Sequence, residues 1–173
     1  KPRKPKKLKE WSFLTKKEYD NLHNLPNNWT WEKAENVMKL ITNGSTPKGR
    51  KVSKEKNEVP FLKIHNLSLK GNFLLHYKLH YITQETSIND LARSRIYPND
   101  VLLNTVGPPL GKVALVSNEF KEYNANQNVT VYRTFKSFNP KFLNYYLISS
   151  SVAKWIRNVA TATAGQSYMN LGH

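Results

Sequence analysis

The sequence predicts an α+β domain built from short twisted β-sheets with loops and late-chain helices. Three observations carry that reading. Short β-rich runs crowd the middle of the chain, helical spacing is concentrated after Asn139, and strands and helices do not alternate as a doubly wound sheet requires. A length of 173 residues suffices for one domain with a core of its own, or one domain plus an appendage.

Residues 1–10, KPRKPKKLKE, pair prolines with lysines and read as an extended linker. Thr15 and Glu18 have the capping-box spacing that opens a short helix reaching about Leu22. Residues 1–24 are thus a basic linker and short helix, and the domain proper spans 25–173. Trp29 and Trp31 alternate as in a half-buried strand or staple. Val37–Thr42 follows as strand or short helix, then a turn-rich basic loop, Asn43–Lys56. Pro60–Leu67 reads as a strand, with a turn at Gly71-Asn72 before a second extended run, Phe73–Tyr81. Thr83 caps a helix over Gln84–Ala92 that ends near Arg93–Arg95, and Pro98-Asn99-Asp100 turns into the next strand.

The segment Asn99–Arg133 is the most informative. Runs at Val101–Asn104, Lys112–Val116 and Val129–Arg133 are separated by a stiff Gly107–Gly111 loop and a polar Asn124–Asn128 loop. Such a platform presents amides and a lysine outward, which suits a polar polymer better than a small cofactor. Asn139 then serves as N-cap with Pro140 at the first helical position. That helix should bury Phe142, Leu143, Tyr146 and Leu147. A second apolar stripe follows at Val152, Trp155, Ile156 and Val159, and Ala160–Ser167 reads as a loop. The large aromatics, Trp29, Trp31, Phe61, Phe142 and Trp155 among them, read as core rather than stacking platforms.

Lysine and arginine number 27 against 12 acids, a net charge of +15. That surplus favours a polyanionic partner, nucleic acid first and an anionic membrane second. Eight basic residues and Glu10 fall within residues 1–17, so a net +7 sits there and +8 remains for the rest. The absence of cysteine excludes disulfides, cysteine-type zinc sites and thiol catalysis, and is compatible with a reducing cytosol. No apolar run has membrane-spanning length. The chain starts on Lys and stops at His173 without a terminal structural signal, the expectation for a segment of a longer protein.

Several constellations fail on chemistry. Gly107-Pro-Pro-Leu-Gly-Lys112 has three residues between its glycines where a phosphate loop needs four. Val113 stands where a magnesium-binding hydroxyl belongs, and two prolines lack N–H donors. Asp100 with Glu119 and Lys121 mimics a magnesium-nuclease centre, the leading alternative from another class. Yet Asp100 sits at a turn and Glu119 in a loop. No Asp/Asn-Pro-Pro-Tyr/Phe run of an adenine methyltransferase occurs. His76 and His80 lie four apart on a segment read as strand, too distant for one ion. No nucleophile elbow assembles Ser, His and Asp into a triad. No cofactor is expected.

The candidates for contact with double-stranded DNA lie in the loops. Lys48, Lys51, Lys54 and Lys112 suit phosphate, against a plain reading as solvated surface. Arg50 could fork onto a guanine edge, and Arg93, Arg95 and Asn104 are further base readers. Asn126 and Gln127 could contact adenine through their amides, whereas Asn128 at the strand edge is read as satisfying turn backbone. Thr46, Gln166 and Ser167 complete the set.

In order along the chain, Leu25-Pro-Asn-Asn-Trp-Thr-Trp31, Ile41–Pro47, Pro60–Leu67, Asn99–Leu103, Gly111–Val116, Asn126–Val129, Phe142–Ser149 and Ala164-Gly-Gln166 form a succession. This succession resembles the target-recognition domain of the specificity (S) subunit of type I restriction-modification systems. Ser45 replaces a glycine of the family's "GGTP" loop, Asn99 another glycine, and His65-Asn66 its usual Arg/Lys-Asp. The resemblance implies the DNA-methylase specificity-domain fold and no catalysis of its own. It implies reading one half of a bipartite DNA site beside adenine-methyltransferase modification subunits and a restriction/translocase subunit, in a bacterial or archaeal cytoplasm. A second recognition domain would come in cis or by self-association. The same domain type resembles the recognition part fused to some type II adenine methyltransferases.

Overall fold

The computed structural model describes residues 12–49, 51–56, 58–163 and 166–169. The linker over residues 1–10 and the candidate Arg50 lie outside the described residues. In chain order the elements are α1 (Lys16–Asp20), α2 (Ala34–Val37), β1 (Met38–Asn43), β2 (Val59–Leu62), β3 (His80–Ile82), α3 (Gln84–Asn89), β4 (Val101–Asn104), β5 (Val106–Gly107), β6 (Val113–Leu115), β7 (Asn124–Ala125), β8 (Val129–Thr134), α4 (Pro140–Leu147), α5 (Ser150–Val159), β9 (Thr161–Thr163) and β10 (Gln166–Tyr168). Short 3-10 turns occupy Ile64–Asn66 and Ala92–Ser94.

The central sheet runs β1-β8-β4-β6 and all its pairs are antiparallel. Strand β4 explains its layering. All four of its residues are buried, as a strand covered on both faces must be. Successive side chains point to opposite faces. Val101 and Leu103 pack with Leu143 and Leu147 of α4 and Val152 and Ile156 of α5. Leu102 joins Leu62, Ala125, Tyr123 and Ile96 on the other face. That second core lies under a three-stranded sheet, β3-β2-β7, in which β2 and β7 run parallel. A third sheet, β5-β10-β9, closes one end.

The caps form as their sequences require. Glu18 accepts from the Thr15 backbone N–H and hydroxyl, each at 2.7 Å. These bonds and Lys33 at 3.2 Å hold its carboxyl down at about 2. Thr83 Oγ1 accepts from Thr86 N, and Asn139 Oδ1 from Lys141 N. Beside α1, Ser12 exchanges backbone bonds with the Asn36 amide at 3.1 and 2.6 Å, and Trp31 Nε1 donates to His23 O at 3.0 Å.

Four expectations are corrected. The strand over Pro60–Leu67 stops at Leu62, because the buried Asn66 bends the chain away from the sheet. Its Oδ1 accepts from Lys63 N at 2.9 Å, and its Nδ2 donates to the carbonyls of Leu74, Leu75 and Tyr77 at 3.1, 3.3 and 2.9 Å. Those bonds turn the chain through residues 75–78, so Phe73–Tyr81 is no continuous strand. Residues 160–167, read as loop, contain the β9-β10 pairing that joins β5. Here alternating β-branched threonines outweigh small size. Among the aromatics, Phe61 is core, but Trp29, Phe142 and Trp155 are 59%, 41% and 43% exposed. Trp29, Phe142 and Tyr146 instead form a surface ladder, with centroids 5.8 and 6.4 Å apart, over the buried Leu143 and Leu147.

Candidate nucleic-acid interface

Strand β8 begins at Val129, and its partners β1 and β4 end beside it at Asn43 and Asn104. The loops that leave this end of the sheet are stitched together by backbone bonds. Gly44 N donates to Val129 O and Ser45 N to Ala125 O, both at 2.8 Å. Thr105 N donates to Asn128 O at 3.0 Å, and Met169 N to Thr105 O at 2.9 Å. Ser167 then pairs with Gly107 across β10 and β5. Candidates far apart in sequence therefore converge on one end of the domain: Thr46, Asn126, Gln127 and the backbone of Gln166 and Ser167.

Within this cluster, Thr46 Oγ1 meets Gln127 Oε1 at 2.5 Å across an exposed surface. The hydroxyl donates to the amide oxygen of Gln127, an exposed residue, so the NH₂ of that amide is not used in this bond. Asn126 uses its backbone N–H on Leu62 O at 3.1 Å, while its Oδ1 is buried without a partner. Gly44, read in the sequence as part of the Ile41–Pro47 match, has a structural role of its own. A Cβ there would collide with the Asn126 and Ala125 carbonyls, so only glycine lets the basic loop approach the amide loop. A lone glycine in a polar loop was the available signal.

Other candidates are placed differently. Asn104 is 1% exposed and its amide is fully engaged inside. Its Nδ2 donates to Val106 O and Pro109 O at 3.0 and 2.9 Å, and its Oδ1 accepts from Lys112 N at 2.5 Å. It braces the Gly107–Gly111 loop, and the expectation of base readout from it is corrected on that ground. Lys112, half-buried, follows that brace. Arg93 donates to Thr42 Oγ1 at 2.7 Å beside β1. Lys51 pairs with Asp90 at 2.6 Å, which raises its pKa, though an exposed pair contributes little stability. Lys48 and Lys54 are exposed.

Arg95 is held by Glu122, a carboxylate only 9% exposed that also accepts from Ser87 Oγ at 2.8 Å and Gln84 Nε2 at 3.0 Å. Burial pushes the Glu122 pKa up, but the hydrogen bonds from Arg95 and Ser87 outweigh it and the net shift is downward. Arg95 is thereby a structural cation in this state. Asp100 is similarly engaged. Arg133 grips it through Nε and Nη2 at 2.8 and 2.7 Å, and Tyr97 N adds a third bond at 2.8 Å. Glu119 pairs instead with His76 at 3.3 Å. Among the described residues, no group of three or more potential ligands could hold a metal.

Neither a protein-family model nor a curated protein matches the sequence. Solved structures do. One is a chain from a structural study of complex assembly and conformational transition in the type I R-M system, with a TM-score of 0.57, 18% identity, and coverage of 78% of this chain and 31% of that one. The HsdS subunit of Thermoanaerobacter tengcongensis matches with a TM-score of 0.55 and 18% identity over 83% of this chain and 32% of its own. The type I restriction-modification S subunit of M. genitalium matches with a TM-score of 0.53 and 14% identity over 87% and 34%. The α+β fold of these specificity subunits is thus the fold of this chain. The chain spans about a third of the length of the structures it matches.

Proposed function

We propose that this chain is a target-recognition domain that binds double-stranded DNA and reads one half of a bipartite site for a type I restriction-modification complex. The observation that carries the reading is the gathering of Thr46, Asn126, Gln127 and the β10 backbone at one end of a rigid sheet, in a fold shared with specificity subunits. An exposed amide at Gln127, bonded to Thr46 on a fixed scaffold, suits a base edge in a major groove, and the cationic loop beside it suits phosphate. The domain has no catalysis of its own. Methylation and cleavage fall to modification and restriction/translocase subunits, and a second recognition domain, in cis or by self-association, reads the other half-site. The complex works in a bacterial or archaeal cytoplasm; among the described residues no helix is long and apolar enough to cross a membrane.

Binding of the full chain to labelled duplexes across a salt series tests this. Affinity should fall by about 0.9 log units per log salt for each phosphate neutralised. Removing residues 1–10 should weaken binding to all sequences alike, because KPRKPKKLKE contributes chiefly positive charge. Loss of sequence preference on that truncation would place the reading surface elsewhere.

A further inference from the structure

A second cluster of cations stands beside the reading loops. Strands β2 and β7 run parallel, Phe61 beside Asn124 and Leu62 beside Ala125, so Lys63 leaves the sheet next to Asn126. Strand β3 is antiparallel and starts at His80 opposite Phe61. Lys54 follows Ser53, which bridges to Tyr81. The Asn66 clamp binds Lys63 N and the Leu74–Tyr77 carbonyls at once, which brings Lys78 to the same corner. Lys78 adopts φ +48°, a left-handed conformation that a lysine takes only when its surroundings impose it.

That conformation presents the Lys78 carbonyl to two imidazoles. His65 Nε2 lies 3.1 Å from it and His80 Nδ1 2.8 Å, with the ring centroids 6.2 Å apart. A carbonyl can only accept, so each ring donates there, and its other nitrogen is left as the basic one. Protonation therefore adds a charge and a donor without disturbing the bond that fixes the ring. Around His65 stand Lys63, Lys78, His80 and the edge-on ring of Tyr77, and around His80 stand Lys63 and Lys54.

Resting on the DNA-reading proposed above, we propose that Lys54, Lys63, Lys78, His65 and His80 form a phosphate-contact site for duplex DNA flanking the reading loops. The two histidines strengthen that contact by taking up protons. Without DNA, burial first, then His80 and the lysines for His65, and Lys63 and Lys54 for His80, hold both rings below their ordinary value against the bond to the Lys78 carbonyl, which pulls the other way. A phosphate oxygen offsets the lysine repulsion and accepts the new N–H. Binding must then carry protons with it, and affinity rises as pH falls through the histidine range.

The test is a salt titration of full-chain binding to a labelled mixed-sequence duplex at about pH 8 and about pH 6, the window in which histidine changes charge. At the lower pH the slope of log affinity against log salt should steepen by about 0.9 for each ring that contacts phosphate. H65Q/H80Q, which keeps a donor for the Lys78 carbonyl, should remove that increment, so that the slopes at the two pH values coincide. H65Q and H80Q alone should each remove a part, which covers the case of a poorly folding double variant. K63A should flatten the slope at both pH values. An increment that survives in the histidine variants, or a wild-type slope independent of pH, would overturn the site while leaving DNA reading intact. Absence of duplex binding at low salt at either pH would overturn both.

Discussion

Asn66 sets the path of the chain after β2. Completely buried, it satisfies one N–H and three carbonyls, and so converts a stretch that looks like strand into a 3-10 turn facing a second turn. Asn66→Ala would leave the Leu75 carbonyl buried without this partner and release the other three groups, which are part-buried. We expect a loss of about 3 kcal/mol in denaturant unfolding, since each buried group left unpaired costs about 1–3 kcal/mol. Glu122 is the corresponding acidic group. Its pKa is lowered in the folded state, so the unfolded chain binds the extra proton. Its contribution is thus complete above the ordinary carboxylate value of 4.5 and is lost as pH falls through the lower folded value. Glu122→Gln should lower stability at neutral pH and flatten the decline below about pH 4.5 in melts across pH. The His65–His80 pair acts in the same direction in the free protein. Both folded pKa values are lowered from 6.5, so the stability of that corner is complete above 6.5 and is lost as pH falls from there through the lower folded values.

At the scale of elements, the strands of the central sheet were legible because their apolar runs were bounded by turn residues and covered on both faces. Val101–Asn104 forms with the expected bounds, and the caps at Thr15, Thr83 and Asn139 form as read. Elements set by distant partners were not legible. The β9-β10 pairing depends on the short β5 strand at Val106–Gly107, and the end of β2 depends on carbonyls eight to eleven residues downstream of Asn66. Helix α4 keeps its predicted stripe, but only Leu143 and Leu147 reach the core. Phe142 and Tyr146 sit at its margin against Trp29 and Trp31. For the candidate cluster, the sequence offers residue types and not their geometry. Polar loops with Thr46, Asn126 and Gln127 were recognisable, whereas the internal engagement of Asn104 and Arg95 arises only from packing. Gly44→Ala tests the stitching of those loops. We expect a loss of about 1–3 kcal/mol by thermal or chemical melting, because a Cβ forced against backbone cannot be relieved by a side-chain shift. Sequence-specific binding should fall more than non-specific binding.

At the scale of the whole molecule, three layers hold a rigid sheet whose two ends differ. One end carries the converging loops and the flanking lysines and histidines, and the other is closed by the Asp100–Arg133 clasp under Tyr97. A domain so arranged should discriminate among duplexes through one end only.

Selection of duplexes from a randomised pool by the full chain, with sequencing of the recovered DNA, measures that discrimination directly. The account predicts enrichment of one short motif by the wild type. Gln127→Ala should lose preference at a position or two within that motif, about 1–3 kcal/mol per base pair, while its salt dependence stays close to that of the wild type. Equal recovery of all sequences by the wild type, or enrichment that Gln127→Ala and Thr46→Ala leave untouched, would contradict it.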